Sequence, residues 1–195
     1  MSDLLARMTP DEKFRQLFMV AGDFGSDSSR FKSGLFGFQV DAAAQGDPGG
    51  QLLNNSTGAD ARRTLDKING MQRFFVKETR LGIPMIAFDE ALHGLVRKGA
   101  TAFPQSIGMA ASWDTTLMSQ VADAIALETK ARGIRMVLSP VVNLATDPRW
   151  GRVEETYGED PMLASAFGVA YVKAMESRGI ITTPKHFVAN HGDGG

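Results

Sequence analysis

The segment from Met136 to Pro161 contains a strand pattern, a charged loop and a helix start in direct succession. Residues 136–144 form an apolar run rich in β-branched side chains, which is typical of a strand buried on both faces. Residues 147–159 follow with arginines, carboxylates, a tryptophan and a tyrosine, and Asp160-Pro161 then provides an N-cap and a first-turn proline. Because ligands bind at the carboxyl ends of parallel strands in α/β proteins, this loop is a candidate for a binding site.

The same unit of strand, polar loop and helix recurs along the chain. The pattern predicts strands at residues 35–40, 83–88, 136–144 and 180–183. Helix starts are predicted at a Thr-Pro-Asp-Glu capping box and at three later aspartates: Thr9, Asp60, Asp114 and Asp160. Residues 41–55, rich in Ala, Gly, Gln and Asn, predict a turn-dense loop within one domain.

Alternating strands and helices predict a parallel α/β architecture. The pattern alone leaves open an open doubly wound sheet and a (β/α)₈ TIM-type barrel. Since a complete barrel needs roughly 250 residues, a chain of 195 residues could supply about the first half of one. We therefore interpret residues 1–195 as part of a single domain.

Composition excludes several classes of function. The formal net charge is -1 and no basic stripe is present, so we predict no nucleic-acid partner. The chain has no cysteine, which excludes disulfides, a thiolate nucleophile and Cys-ligated zinc. No apolar run approaches the roughly 20 residues of a membrane helix, and the first residues lack the features of a signal peptide. The compartment stays open, since an export signal could have been removed.

Polar clusters follow three successive predicted strands. They are Asp89/Glu90/His93, Arg149/Arg152 with Glu154/Glu155/Tyr157, and Lys185/His186 with Asn190/His191/Asp193. Neighbouring strand ends lie about 5 Å apart, so these groups should converge on one pocket. Fixed hydrogen-bond acceptors and donors together suit a neutral ligand with many hydroxyls, such as a sugar.

Structural roles compete with binding roles in these clusters. At least one of Arg149 and Arg152 is expected to form an ion pair that holds the long loop. Trp150 could stack on a sugar, but a tryptophan in a rigid loop more often packs as core. His93, which precedes a glycine, fits a hydrogen-bonded turn histidine.

A metal site is the main competing chemistry. His93, His186, His191 and Asp193 could ligate zinc, but neither His-x-His nor His-Glu-x-x-His occurs, and Lys185 would repel a cation. The glycine-rich stretches match no phosphate-loop spacing. We therefore predict no metal and no cofactor, with a metal-dependent barrel hydrolase as an alternative.

Five motifs, read together, resemble those of glycoside hydrolase family 3 in order and spacing. They are Phe88-Asp89-Glu90-Ala91-Leu92-His93-Gly94, Gly99-Ala100-Thr101-Ala102-Phe103-Pro104-Gln105, Asp147-Pro148-Arg149-Trp150-Gly151-Arg152, Tyr157-Gly158-Glu159-Asp160-Pro161 and Lys185-His186-Phe187. The resemblance extends over the chain from Thr9 onward. It implies a (β/α)₈ barrel domain, or a collapsed form of one, and an exo-acting, retaining β-glycosidase, typically a β-glucosidase or β-xylosidase, whose substrate is an oligosaccharide or glycoside.

The resemblance also implies which residues bind the sugar. Arg152, Lys185 and His186 match positions that hydrogen-bond sugar hydroxyls in the family, and the carboxylate three residues before His-Gly falls on Glu90. Many β-glucosidases of the family have Asp there, whereas Glu resembles members that act on xylosides. Neighbouring residues are interpreted as possible support for the site: Asp89, His93, Arg149 and Trp150. Asp89 would take over from Glu90 if the register were shifted by one.

The motif of the family's nucleophile, an Asp in a Ser-Asp-Trp-like sequence, does not occur in these 195 residues, and the acid/base Glu usually comes from a following domain. A retaining glycosidase needs two carboxyl groups about 5–5.5 Å apart. The resemblance thus implies that this segment supplies the sugar-binding half of a site and needs the remainder of the enzyme as its partner. A truncated chain that binds sugar without turnover is a further alternative.

Overall fold

The computed structural model describes residues 2–22, 24–25, 27–40 and 60–187. The predicted loop at residues 41–55 lies outside the described residues, as do three residues of the third polar cluster, Asn190, His191 and Asp193.

A parallel sheet forms the centre of the fold. Within the described residues its strands are β1 Met19–Ala21, β2 Gly37–Gln39, β3 Ile86–Asp89, β4 Met136–Val137 and β5 Ile181–Thr182. Each strand pairs in parallel with the next one along the chain, in the order β1-β2-β3-β4-β5. The helices are α1 Ser2–Arg7, α2 Pro10–Arg15, α3 Ala61–Glu78, α4 Ser106–Ala110, α5 Thr115–Ala131 and α6 Pro161–Ser177, with 3₁₀ turns at Ser28–Phe31 and Val153–Glu155.

The strand order decides between the two architectures that the sequence left open. A doubly wound sheet reverses its strand order at a switch point, whereas a (β/α)₈ barrel adds each strand beside the previous one. The observed order is sequential throughout the five strands that the structure describes, so the fold is of the barrel type.

The predicted helix starts are confirmed. Thr9 and Glu12 form the capping box, each side chain accepting a hydrogen bond from the other residue's backbone N–H. The side chains of Asp60, Asp114 and Asp160 each accept a backbone N–H from the first turn of the following helix. These caps satisfy N–H groups that have no partner within the helix.

The hydrophobic core lies between the sheet and the helices. Its largest fully buried side chains include Phe38 from β2, Phe75 from α3, and Phe167, Tyr171 and Met175 from α6. Helical spacing in the sequence predicts an apolar face with Ile68, Met71 and Phe75 on α3 and one with Phe167 and Ala170 on α6, and these residues belong to the core. Gly37 in β2 has no room for a side chain, because a Cβ there would lie 2.4 Å from the carbonyl oxygen of Ile86.

Three sequence predictions need correction. Strand β1 was not predicted, because its three residues are largely exposed and lack a buried-strand pattern. The run 136–144 is a strand only at Met136–Val137 and continues as irregular chain. The i, i+4 spacing of Leu117, Val121 and Ile125 predicts that these residues share the buried face of α5, but Leu117 is 46% exposed, and the buried face includes Met118, Ala122 and Ile125.

The capping box predicts how stability depends on pH. Hydrogen bonds from Arg80 and from the backbone and hydroxyl of Thr9 lower the pKa of Glu12 from 4.5 to about 2. A depressed carboxylate pKa contributes stability above the unfolded-state value, which is lost as pH falls toward the folded-state value. We expect Glu12→Gln to have a free energy of unfolding that falls less steeply than wild type between pH 4.5 and 2. Urea unfolding at several pH values in this range measures the free energy of unfolding. If it changed with pH to the same extent in wild type and Glu12→Gln, the lowered pKa of Glu12 would be contradicted.

Candidate functional site

The predicted sugar-binding residues lie where three neighbouring strands end. Glu90 directly follows β3, and Lys185 and His186 lie three and four residues after β5. The irregular chain after β4 runs beside the chain after β5, with Val141 forming a parallel bridge to Lys185. The sheet therefore brings residues that are far apart in sequence to one edge.

Glu90 and Lys185 form an ion pair across this edge. The Lys185 Nζ lies 2.7 Å from the Glu90 Oε2. The side chains are only partly exposed, 18% for Lys185 and 29% for Glu90, so a ligand could still reach both. The pair presents remaining ammonium N–H donors beside carboxylate acceptors.

Asp89 has a different environment from its neighbour. Its carboxylate is buried and accepts two hydrogen bonds from Arg97, both of 2.9 Å, and one of 3.0 Å from Gln39. It also accepts the backbone N–H of Glu90. These contacts use the carboxylate to hold the end of β3, which favours Glu90 as the residue that faces a ligand.

The backbone after Glu90 is held in an unusual conformation. Ala91 has a φ of 60°, in the left-handed region that non-glycine residues rarely adopt. Its carbonyl accepts a 2.7 Å hydrogen bond from the Tyr171 hydroxyl, which is also bonded to the Ser139 hydroxyl. Burial raises the pKa of Tyr171 well above its ordinary value, so the hydroxyl keeps its proton. Strained backbone that is over-determined by its surroundings is common at binding sites.

The two arginines of the charged loop have separate roles. Arg149 is exposed and pairs with Asp147, two residues earlier, so it stabilises the loop itself. Arg152 donates two hydrogen bonds of 2.6 Å to Glu155, which is buried. The bonds to Glu155 raise the pKa of Arg152, and the nearby charge of Glu90 raises it further. Both arginines therefore form ion pairs within the loop, as was predicted for at least one of them.

Trp150 and His93 have the structural environments that were predicted for them. Trp150 is 4% exposed and packs against Leu92 and Val141. The Nδ1 of His93 lies 2.9 Å from the carbonyl oxygen of Phe103, within the turn that follows β3. Both side chains therefore contact or belong to the segment that follows Glu90.

His186 is held by Asn143. The Asn143 Oδ1 lies 3.0 Å from both the backbone nitrogen and the Nδ1 of His186. Burial lowers the pKa of His186, and the positive charges of Arg152 and Lys185 lower it further, while Glu155 opposes them. The imidazole is therefore neutral at pH 7. The peptide bond between Lys185 and His186 is cis.

The sequence did not single out Asn143, Arg97 or Tyr171. Asn143 could have been noticed as the polar residue near the end of an apolar run. Arg97 and Tyr171 gave no signal, because nothing local distinguishes a buried partner from a surface residue. In the part of the chain that the structure describes, no group of three metal-ligating side chains lies together. No described helix is long and apolar enough to cross a membrane.

The whole length of the chain from Thr9 matches a known family. Residues 9–195 match the model of the glycosyl hydrolase family 3 N terminal domain. The chain belongs to glycosyl hydrolase family 3. This membership confirms the resemblance of the sequence motifs and agrees with the barrel-type fold.

The proteins to which this chain is similar include a β-xylosidase, a β-glucosidase and a β-glucanase. The family 3 chain is 38% identical over 143 residues to a β-xylosidase of Formosa agariphila, covering 66% of this chain and 20% of the relative. It is 31% identical over 194 residues to a periplasmic β-glucosidase of Salmonella typhimurium, covering 96% of this chain and 23% of the relative. An exo-1,3/1,4-β-glucanase from a Pseudoalteromonas species superposes with a TM-score of 0.80 at 29% identity, over 97% of this chain and 24% of that one. This family 3 chain thus spans about a quarter or less of the length of these relatives.

Proposed function

We propose that this chain forms the sugar-holding part of an exo-acting, retaining β-glycosidase, which removes a β-glucosyl or β-xylosyl residue from the non-reducing end of oligosaccharides or glycosides. The observation that carries the proposal is the Glu90–Lys185 ion pair, next to His186 in sequence, together with Arg152, whose pKa the charge of Glu90 raises. Sugar hydroxyls both donate and accept, and this group offers fixed acceptors and fixed donors together.

Three carboxylates at the site form ion pairs with cationic side chains of the protein. Glu90 is paired with Lys185, Asp89 with Arg97 and Glu155 with Arg152. A retaining mechanism needs one carboxylate to attack the anomeric carbon and a second carboxyl group to protonate the leaving oxygen. We therefore assign both reacting groups, an Asp nucleophile and a Glu acid/base, to residues other than those of this segment.

The same proposal includes the remainder of the enzyme as a partner. An apolar groove of about 640 Å³ runs along α6, and the outer edge of β5 has no strand partner among the described residues. The groove is lined mainly by apolar side chains from α6 and from the chain after β4 and β5: Val142, Leu144, Pro161, Ala164, Ser165, Gly168, Val169, Val172, Lys173 and Pro184. A barrel adds its next strand and helix at this position, which would bury this surface.

The identity of the sugar depends on Glu90. A glutamate reaches one methylene further into the subsite than an aspartate, and the added length would crowd the hydroxymethyl group that distinguishes a glucoside from a xyloside. The Lys185 Nζ limits this reach, because it holds the Glu90 carboxylate at 2.7 Å. We therefore propose both β-glucosides and β-xylosides as candidate substrates.

We expect the complete polypeptide to hydrolyse aryl β-D-glucosides or aryl β-D-xylosides, with the β-anomer as the first sugar released. Proton NMR of the product during the first minutes reads out the anomer, and kcat/KM ranks the two substrates. Release of the α-anomer first would overturn the retaining mechanism. Loss of activity on adding a chelator would instead support a metal-dependent hydrolase, and sugar binding without turnover would leave a binding function only.

A further inference from the structure

We infer that Asn143 is a positioning residue that fixes the tautomer of His186, so that His186 presents an unprotonated Nε2 as a hydrogen-bond acceptor to one sugar hydroxyl. This inference deepens the proposed function and rests on it for the identity of the ligand. The tautomer itself follows from contacts within the chain.

The first step is the orientation of the Asn143 amide. Oxygen and nitrogen of an amide are assigned from their hydrogen bonds. The backbone N–H of His186 can only donate, and it lies 3.0 Å from the side chain of Asn143, so the atom that it meets must be the amide oxygen.

The second step is the proton on the imidazole. The same Oδ1 atom lies 3.0 Å from the His186 Nδ1, and an amide oxygen can only accept. The Nδ1 must therefore carry a proton. In a neutral imidazole one ring nitrogen donates and the other accepts, so Nε2 is the acceptor.

The third step is the charge state. Among the described residues, Arg152, Lys185 and Glu155 are the charged groups that act on His186, and burial together with the two cations favours the neutral ring. The contacts of His186 with the described residues involve its backbone nitrogen and Nδ1, and the ring is only partly buried, so a ligand could reach Nε2.

The consequence is selectivity for a hydroxyl donor. Lys185 and Arg152 supply donors only, and Glu90 supplies an acceptor that is already shared with Lys185. The neutral His186 adds an acceptor that no cation occupies. A sugar in which the facing hydroxyl is replaced by a methyl ether has no proton to give, so its binding should fall about tenfold, in line with the loss of one hydrogen bond at a site left unpaired.

Nitrogen NMR of histidine-labelled protein tests the tautomer without any substrate. The chain has three histidines, and a His186→Gln variant assigns the signals of His186. Above pH 8 we expect a protonated Nδ1 and an unprotonated Nε2 in the wild type. Asn143→Ala should remove this preference, whereas the signals of His93, whose Nδ1 contacts the carbonyl oxygen of Phe103, should stay unchanged.

An Asn143→Asp variant keeps an oxygen acceptor and adds a negative charge. A carboxylate next to imidazole favours the protonated ring, so the titration midpoint of His186 should move to higher pH. If Asn143→Ala does not fold, the wild-type tautomer and this titration decide the question. A wild-type His186 protonated on Nε2, or a midpoint unmoved in Asn143→Asp, would overturn the inference. A correct tautomer in a complete enzyme that binds no sugar would instead refute the proposed function.

Discussion

Replacing Lys185 with alanine is expected to lower sugar affinity, and kcat/KM of the complete enzyme, by about 100-fold or more. The variant loses a charge-assisted hydrogen bond, worth about 1.5–3 kcal/mol, and it also releases Glu90, whose carboxylate the lysine holds at 2.7 Å. Every 1.4 kcal/mol corresponds to about a tenfold change. The substitution removes one binding group, Lys185, and displaces a second, Glu90. The loss of affinity should therefore exceed the loss expected from the Lys185 hydrogen bond alone.

Calorimetric titration with methyl β-D-glucoside and methyl β-D-xyloside measures this loss. Lys77→Ala is the matched control, because Lys77 is an exposed lysine in the last turn of α3. The control should bind both sugars as wild type does. Equal affinities for wild type and Lys185→Ala would remove Lys185, and with it the Glu90 pair, from the sugar site. An Arg152→Ala variant should likewise lose much of kcat/KM, since Arg152 matches a sugar-binding position of the family and the charge of Glu90 raises its pKa.

Replacing Arg97 with alanine is expected to destabilise the protein by about 3–5 kcal/mol, the usual effect of breaking a buried ion pair by removing one partner. The Arg97 and Asp89 side chains are only 7% and 3% exposed, and two hydrogen bonds of 2.9 Å join them. Without the arginine, the Asp89 carboxylate would stay buried with no cation. The loss would also loosen the end of β3, because Asp89 accepts the backbone N–H of Glu90.

Urea unfolding of wild type and variant gives the difference in free energy. Arg62→Ala is the control, since Arg62 pairs with Asp66 at 3.1 Å on the exposed face of α3, where a pair of this kind contributes about 0.3–0.5 kcal/mol. Similar losses in both variants would contradict a special role for the buried pair. A stable Arg97→Ala protein with weakened sugar binding would assign Arg97 to the site instead.

The local signals of the sequence predicted much of the fold. Helix starts at Thr9, Asp60, Asp114 and Asp160 were correct because a cap is a contact between residues two or three apart, which a short motif specifies completely. Strand β1 was missed because exposed strands have no hydrophobic periodicity and form only through pairing with β2.

Only part of the candidate site could be predicted, because short motifs select residues but do not give their contacts. Glu90, Arg152, Lys185 and His186 were selected because they follow strands and match the family's motifs, and their roles in sugar binding remain predictions. The family motif selected Arg152 over Arg149 as a sugar-binding residue, and the coordinates add that Arg152 pairs with the buried Glu155, whereas Arg149 pairs with the more exposed Asp147.

The sequence by itself determined that this chain is a parallel α/β protein of family 3, with its polar residues at the ends of the strands. Those properties are carried by local patterns of polarity and by short motifs. Only the tertiary structure decided the sequential strand order, the burial of Asp89 against Arg97, and the bonding of His186 to Asn143. Asn143 and His186 are 43 positions apart and meet because the chain after β4 runs beside the chain after β5. Asp89 and Arg97 are only eight positions apart, but the burial of this pair depends on the packing around it.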